Sequence, residues 1–204
     1  MLGLYYGPGA CSMAAHIVLE DSGEKYEPMR MDLSKGEQRT PEHLKRNPLG
    51  RVPVLRLDIG EYLAENTAIL PYLGKRFKLW PTDPMGESKA LSLIGFFATS
   101  VHPAHAHVGR PERYTADQSA FAGIKDMGLK TFHGYLRKID GMLAGREWFS
   151  DKYSVLDPYG FVFYVWGVRR ELPVAELKNY TAFKDRMVKR PATQRVLEDE
   201  KIKV

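Results

Sequence analysis

Cys11 is the single cysteine of the chain, set in the stretch GACSMA with Ser12 beside it and a run of helical spacing just beyond. A thiol at that place has a definite chemistry open to it. The free N–H groups of a helix start and the positive end of its dipole lower a cysteine pKa from about 8.5 and raise the thiolate fraction at neutral pH. Ser12, at the same helix start, can donate a hydrogen bond to a bound thiolate or serve simply as the N-cap. The opposing reading of Cys11 is a small buried apolar residue. A second set of chemical residues is His102, His105 and His107 in SVHPAHAH. The three could suggest a metal site, but no second cysteine joins them and no HExxH pattern is present, so no metal is expected.

The elements that must position these groups change character once along the chain. LGLYY reads as a buried strand ended by the turn GPG, and CSMAAHIVLEDSG as a helix with Ala14, Ile17, Val18 and Leu19 at helical spacing and Gly23 as its C-cap. A second strand follows near KYEPMRMDL, then a short helix in PEHLKRNPLG, then a hairpin of RVPVLRLD and EYLAE turning at Ile59 and Gly60. ENTAILPYLGKRF closes the unit as a helix that Pro71 should bend. The first part is therefore βαβαββα over residues 1–77. KLWPTDPMG, residues 78–86, reads as a linker, and residues 87–204 read as all-helical. Pro53 cannot donate to a strand ladder, so it belongs at an edge or first position. If its bond to Val52 were cis, the Val52 backbone would turn its N–H and C=O toward an extended peptide ligand; otherwise Pro53 is an ordinary edge proline.

Composition narrows the class. With 44% apolar and 27% charged residues, the 204-residue chain has enough material for a substantial core. No apolar run approaches a membrane span of about 18 residues, and the opening residues lack the pattern of a signal peptide, so a cytoplasmic protein without a membrane partner is expected. One cysteine forbids an internal disulfide and suits a reducing compartment. The net charge of +5 suits an anionic ligand, but the basic residues are dispersed among acids, and no nucleic-acid partner is expected.

Taken together, YYGPGACSMAAHIVLEDSG, KGEQRTPEHLKRNPLGRVPVL and LAENTAILPYL resemble the cytosolic glutathione transferases over essentially the whole chain, with the GPGACS opening most like the bacterial beta class. The resemblance implies a thioredoxin-like first domain, a helical-bundle second domain, glutathione as co-substrate and a homodimer. It also implies conjugation of glutathione to small, mostly hydrophobic electrophiles, with a Cys11-dependent thiol transfer beside it. The competing class is a non-catalytic binding module of the same fold. Residue by residue, Cys11 matches the cysteine that forms a mixed disulfide with glutathione, Pro53 the cis-proline, and Val52 the residue whose main chain pairs with the cysteinyl part of the tripeptide. Glu65 and Asn66 match the pair at the γ-glutamyl end, where a carboxylate meets the ligand's ammonium and a helix start meets its carboxylate; Glu65 at a helix start also suits the dipole. Lys35 matches a basic residue near the glycine carboxylate, and His102 a histidine near the sulfur. Gly95 and Pro103 depart from the family, which commonly has asparagine and lysine there. Ser154 to Asp157, SVLD, matches the family's capping box, and Tyr159, Phe161, Phe163, Tyr164 and Trp166 are expected in the helical core.

Overall fold

Strand β1 (Gly3–Tyr6) is the buried centre of a four-stranded sheet in a computed structural model that describes residues 1–204. It pairs in parallel with β2 (Glu27–Arg30) and antiparallel with β3 (Val54–Arg56), which continues antiparallel into β4 (Tyr62–Ala64), so the order is β2-β1-β3-β4. The connecting helices are α1 (Met13–Ser22), α2 (Pro41–Arg46) and α3 (Asn66–Arg76). This is the expected thioredoxin-like succession. Gly23 ends α1 at φ 69°, and Gly60 turns the hairpin at φ 86°, both values that glycine adopts without strain. Seven successive α1 residues, Met13 to Leu19, are buried, because the helix lies between the sheet and the rest of the chain, packing on α3 and on two helices of the second part.

That second part is helical throughout: α4 (Pro84–Phe96), α5 (His102–Gly109), α6 (Phe121–Met142), α7 (Leu156–Arg169), α8 (Lys178–Val188) and α9 (Pro191–Asp199). The stretch expected to be a linker is ordered. Trp80 is buried and its indole N–H donates to Glu87 at 3.0 Å, while Asp83 caps α4 by accepting from the Gly86 N–H at 2.7 Å. One apolar core of 38 buried residues runs from Leu2 to Val196 through both parts. Tyr159, Phe161, Phe163 and Tyr164 lie in it as expected. The SVLD box is present, with the Asp157 carboxylate accepting from the Ser154 N–H at 2.7 Å and the Ser154 hydroxyl accepting from the Leu156 N–H at 3.3 Å.

Between α4 and α5 the chain takes one π turn, Phe97–Val101, with the His102 N–H reaching the Phe97 carbonyl. The cause is local. Pro103 has no N–H for the Thr99 carbonyl and its ring crowds it, so the wider turn relieves the clash and carries the helix on past His102.

Candidate functional site

The turn after β1 sets the floor of a cavity of about 460 Å3. Gly9 holds φ +67°, and a Cβ there would fall 2.2 Å from the Arg169 guanidinium, so both conformation and space demand glycine. Three groups from the helical part fix the turn: the Trp166 indole N–H donates to the Gly9 carbonyl at 2.9 Å, Arg169 donates to the same oxygen at 3.2 Å, and the Glu200 carboxylate accepts from the Gly9 N–H at 2.7 Å. The other Glu200 oxygen meets His16 of α1 at 2.8 Å, with both side chains buried. Tyr6 donates to Asp199 at 2.5 Å. The strand and the turn before Cys11 are thus bound to the end of α9 and the residue after it.

Cys11, Val52 and His102 all line this cavity. The thiol of Cys11 donates to the Val52 carbonyl at 3.5 Å, and the Val52–Pro53 peptide is cis. The expectation of a thiolate-favouring environment does not hold here. Burial of the sulfur and the nearby Glu65 carboxylate push the thiol up to about 12, outweighing its own backbone N–H and the Arg110 and Arg51 guanidiniums. His102 is driven the other way. Burial and the charges of Arg110, Arg51 and Arg113 hold it down to about 4, so its imidazole is neutral at neutral pH.

The structure brings other candidates in differently. Ser12 is fully buried and faces away from the cavity: its hydroxyl accepts from the Gly7 N–H at 3.1 Å and donates to the Gly7 carbonyl at 3.2 Å. Both its bonding capacities hold the turn closed, so it is a staple and has no proton aimed at a ligand sulfur. The Asn66 amide is buried and donates to the Cys11 carbonyl at 2.9 Å, which ties α3 to the cysteine turn. The Asn66 and Thr67 N–H groups precede the first backbone bond of α3, Ala68 N–H to Glu65 carbonyl, and are the free donors at that helix start. Glu65, exposed, sits at φ 69°, ψ 129°, a strained conformation costing about 1–3 kcal/mol that neighbouring structure must impose. Lys35 is exposed, 3.7 Å from Asp32, and outside the cavity wall. Pro53 is buried behind Val52.

His105 stacks on Trp166 with centroids 4.1 Å apart and accepts from Arg170 at 3.3 Å; burial and the Arg170 charge hold it down to about 3. His107 faces elsewhere, stacked on Tyr114 and 2.7 Å from the Pro103 carbonyl. The three imidazoles therefore do not converge. What the sequence reading missed is the cation content of the wall: Arg51, Arg110, Arg113, Arg169 and Arg170 line the cavity, and no carboxylate does. The one available signal was the clustering of basic residues in RPER and VRREL. Burial and mutual repulsion lower the pKa of Arg113 and of Arg170. Such a field stabilises an anion, including a ligand thiolate.

Comparison with known proteins places this geometry. Residues 1–75 match the family model described as Glutathione S-transferase, N-terminal domain. The chain is 30% identical to Glutathione S-transferase GstA of Escherichia coli O157:H7, covering 98% of this chain and 99% of that protein. Among solved structures, a glutathione transferase homolog from Sulfitobacter with bound glutathione superposes with a TM-score of 0.93 at 31% identity, covering 100% of this chain and 99% of the other. A bacterial beta class transferase from Sphingomonas chungbukensis superposes at 0.86 with 28% identity, over 97% and 98% of the two chains.

Proposed function

The chain belongs to the glutathione S-transferase family and is a glutathione transferase, and from that premise we propose that its cavity binds glutathione and conjugates it to a small electrophile in the cytoplasm, the enzyme working as a homodimer. The observation that carries the reading is the meeting of Cys11, Val52 and His102 on one cation-lined cavity. Residues 1–77 form the glutathione-binding unit, and residues 87–204 supply the electrophile side, joined through 78–86. The Val52 main chain pairs with the cysteinyl part of the tripeptide, its cis bond to Pro53 placed behind it. Glu65 takes the γ-glutamyl ammonium, and the free N–H groups of Asn66 and Thr67 take the neighbouring carboxylate. Arg51 stands nearer than Lys35 to the glycine carboxylate, because it lines the cavity and Lys35 does not.

In the reaction the glutathione sulfur, as thiolate, forms a bond to the electrophilic carbon, the leaving group departs with its bonding pair, and the thiol proton passes to water or to the neutral His102 imidazole. A thiol whose pKa is about 12 is a hydrogen-bond donor before it is a nucleophile. Cys11 accordingly steadies the glutathione thiolate by turning its S–H from the Val52 carbonyl, which the N–H of the bound tripeptide takes over, to the ligand sulfur. Thiol transfer is the second reading, favoured by the single cysteine facing the cavity: the Cys11 thiolate attacks the sulfur of a glutathione mixed disulfide, expels the substrate thiolate, which takes a proton, and is itself freed by a second glutathione, giving glutathione disulfide.

Mass spectrometry of the protein incubated with glutathione disulfide, beside Cys11→Ala and with release by dithiothreitol, separates the two. A glutathione adduct on wild type alone supports thiol transfer. Glutathione binding and conjugation without an adduct support the donor role. No binding of glutathione at all would overturn the enzyme reading for a non-catalytic module.

A further inference from the structure

Five guanidiniums face the cavity and none has a carboxylate within ion-pair reach. Outside the cavity half of the arginines, Arg46, Arg56, Arg76, Arg190 and Arg195, meet a carboxylate, whereas none of the five on its wall does. Glutathione does not use up the excess. It carries two carboxylates and one ammonium, one carboxylate is directed to the start of α3, and Arg51 lies on the Val52 side where the glycine end runs. Arg110, Arg113 and Arg170 stand on the opposite, helical wall. Arg170 has one bond, Nε to His105, which leaves its terminal nitrogens open, and the side chains of Arg110 and Arg113 have no hydrogen-bond partner. Trp166 is the one large aromatic side chain of the lining, and the imidazoles of His102 and His105 pack on it.

Resting on the transferase reading, we infer that the second substrate of this enzyme is an organic anion: an electrophile carrying a carboxylate that Arg110, Arg113 and Arg170 seat in the cavity. The physical reason is a balance of desolvation. A neutral aromatic electrophile entering the cavity would strip water from guanidiniums and offer them nothing, whereas a carboxylate forms charge-assisted, fork-shaped hydrogen bonds to them. This places the chain apart from the mostly hydrophobic electrophiles that the sequence resemblance implies.

The test compares a chloronitrobenzoate with its methyl ester as acceptors at saturating glutathione. In both, the glutathione sulfur forms the carbon–sulfur bond, chloride leaves with the carbon–chlorine pair, and the thiol proton goes to water. Each kcat/KM is divided by the uncatalysed rate constant, because the ester is intrinsically the more activated ring. The normalised acid-to-ester ratio is expected to exceed about 10 in wild type, the value of one charge-assisted bond, and to fall in about 0.5 M salt. Arg110→Gln and Arg113→Gln are expected to lower it severalfold each. A ratio at or below one, or a ratio unmoved by salt and by both substitutions, overturns the inference. Brisk conjugation of the ester alone would do so while leaving the transferase reading intact. Failure of both conjugations together with no calorimetric binding of glutathione would overturn that reading, and this inference with it.

Discussion

The indole N–H of Trp166 donates to the carbonyl of Gly9 at 2.9 Å, joining the last third of the chain to the turn that presents Cys11. Trp166→Phe keeps a ring in place and removes the donor. Because Arg169 still reaches the same carbonyl, the expected loss of stability is about 1 kcal/mol. The expected loss of glutathione affinity is severalfold, as the turn loosens. Urea denaturation and calorimetric titration check the two; an unchanged affinity would show that Arg169 and Glu200 hold the turn without help.

Glu200 is buried and serves two partners at once, the Gly9 N–H and His16. Glu200→Ala leaves both without a partner in a space closed to water and is expected to cost about 2–4 kcal/mol. Glu200→Gln, which retains two polar atoms at the same reach, is expected to recover part of that. Equal losses in the two variants, read by equilibrium denaturation, would show that side-chain volume rather than hydrogen bonding is at stake.

The Cys11 thiol, pushed up to about 12, is expected to react slowly with iodoacetamide in the ligand-free protein at neutral pH. Its rate should go on climbing with pH through the range in which an ordinary cysteine, with a pKa of about 8.5, has levelled off. A plateau at or below neutral pH would show that the helix start and the arginines outweigh burial.

His102 and His105 stay neutral in the folded protein until about pH 4 and about pH 3, whereas the unfolded chain protonates both from about 6.5. The unfolded state therefore binds more protons between those limits, and stability present at neutral pH is lost as the pH falls through the window. Asp157, which burial raises to about 7, acts in the opposite sense, so comparison of variants is the informative measurement. His105→Gln is expected to flatten the acid slope of unfolding by close to one proton. Identical slopes in wild type and variant would mean that His105 protonates normally when folded.

Much of this was legible in the residues because the signals were local. A helix-ending glycine, a strand stopped by GPG, the SVLD box and the run of aromatics each depend on neighbours within one or two turns, and each stands where its sequence implies. What was not legible depends on convergence. Arg51, Arg110 and Arg170 lie about 60 positions apart in succession and face one cavity only because the ends of α5 and α7 come to stand across from the segment before β3. The anchors at the end of α9, Asp199 and Glu200, were not legible because they are polar contacts to Tyr6, Gly9 and His16, about 190 positions away. Ser12 looked available beside the thiol because its partners, the two polar groups of Gly7, become visible only when the turn closes. Lys35 was placed by resemblance alone, and its loop carries it out of the wall that Arg51 occupies.

The π turn of Phe97–Val101 holds one residue more than a regular turn, and the helix on either side of it keeps its direction. Deleting one residue from it would tighten the winding onto Pro103, whose ring the wider turn accommodates, while the residues beyond would keep nearly their phase relative to α4. His102, His105 and the arginines at the end of α5 would go on facing the cavity. The turn is therefore a place where the chain can change length without re-aiming the cavity wall, the cost falling on the fit of one proline.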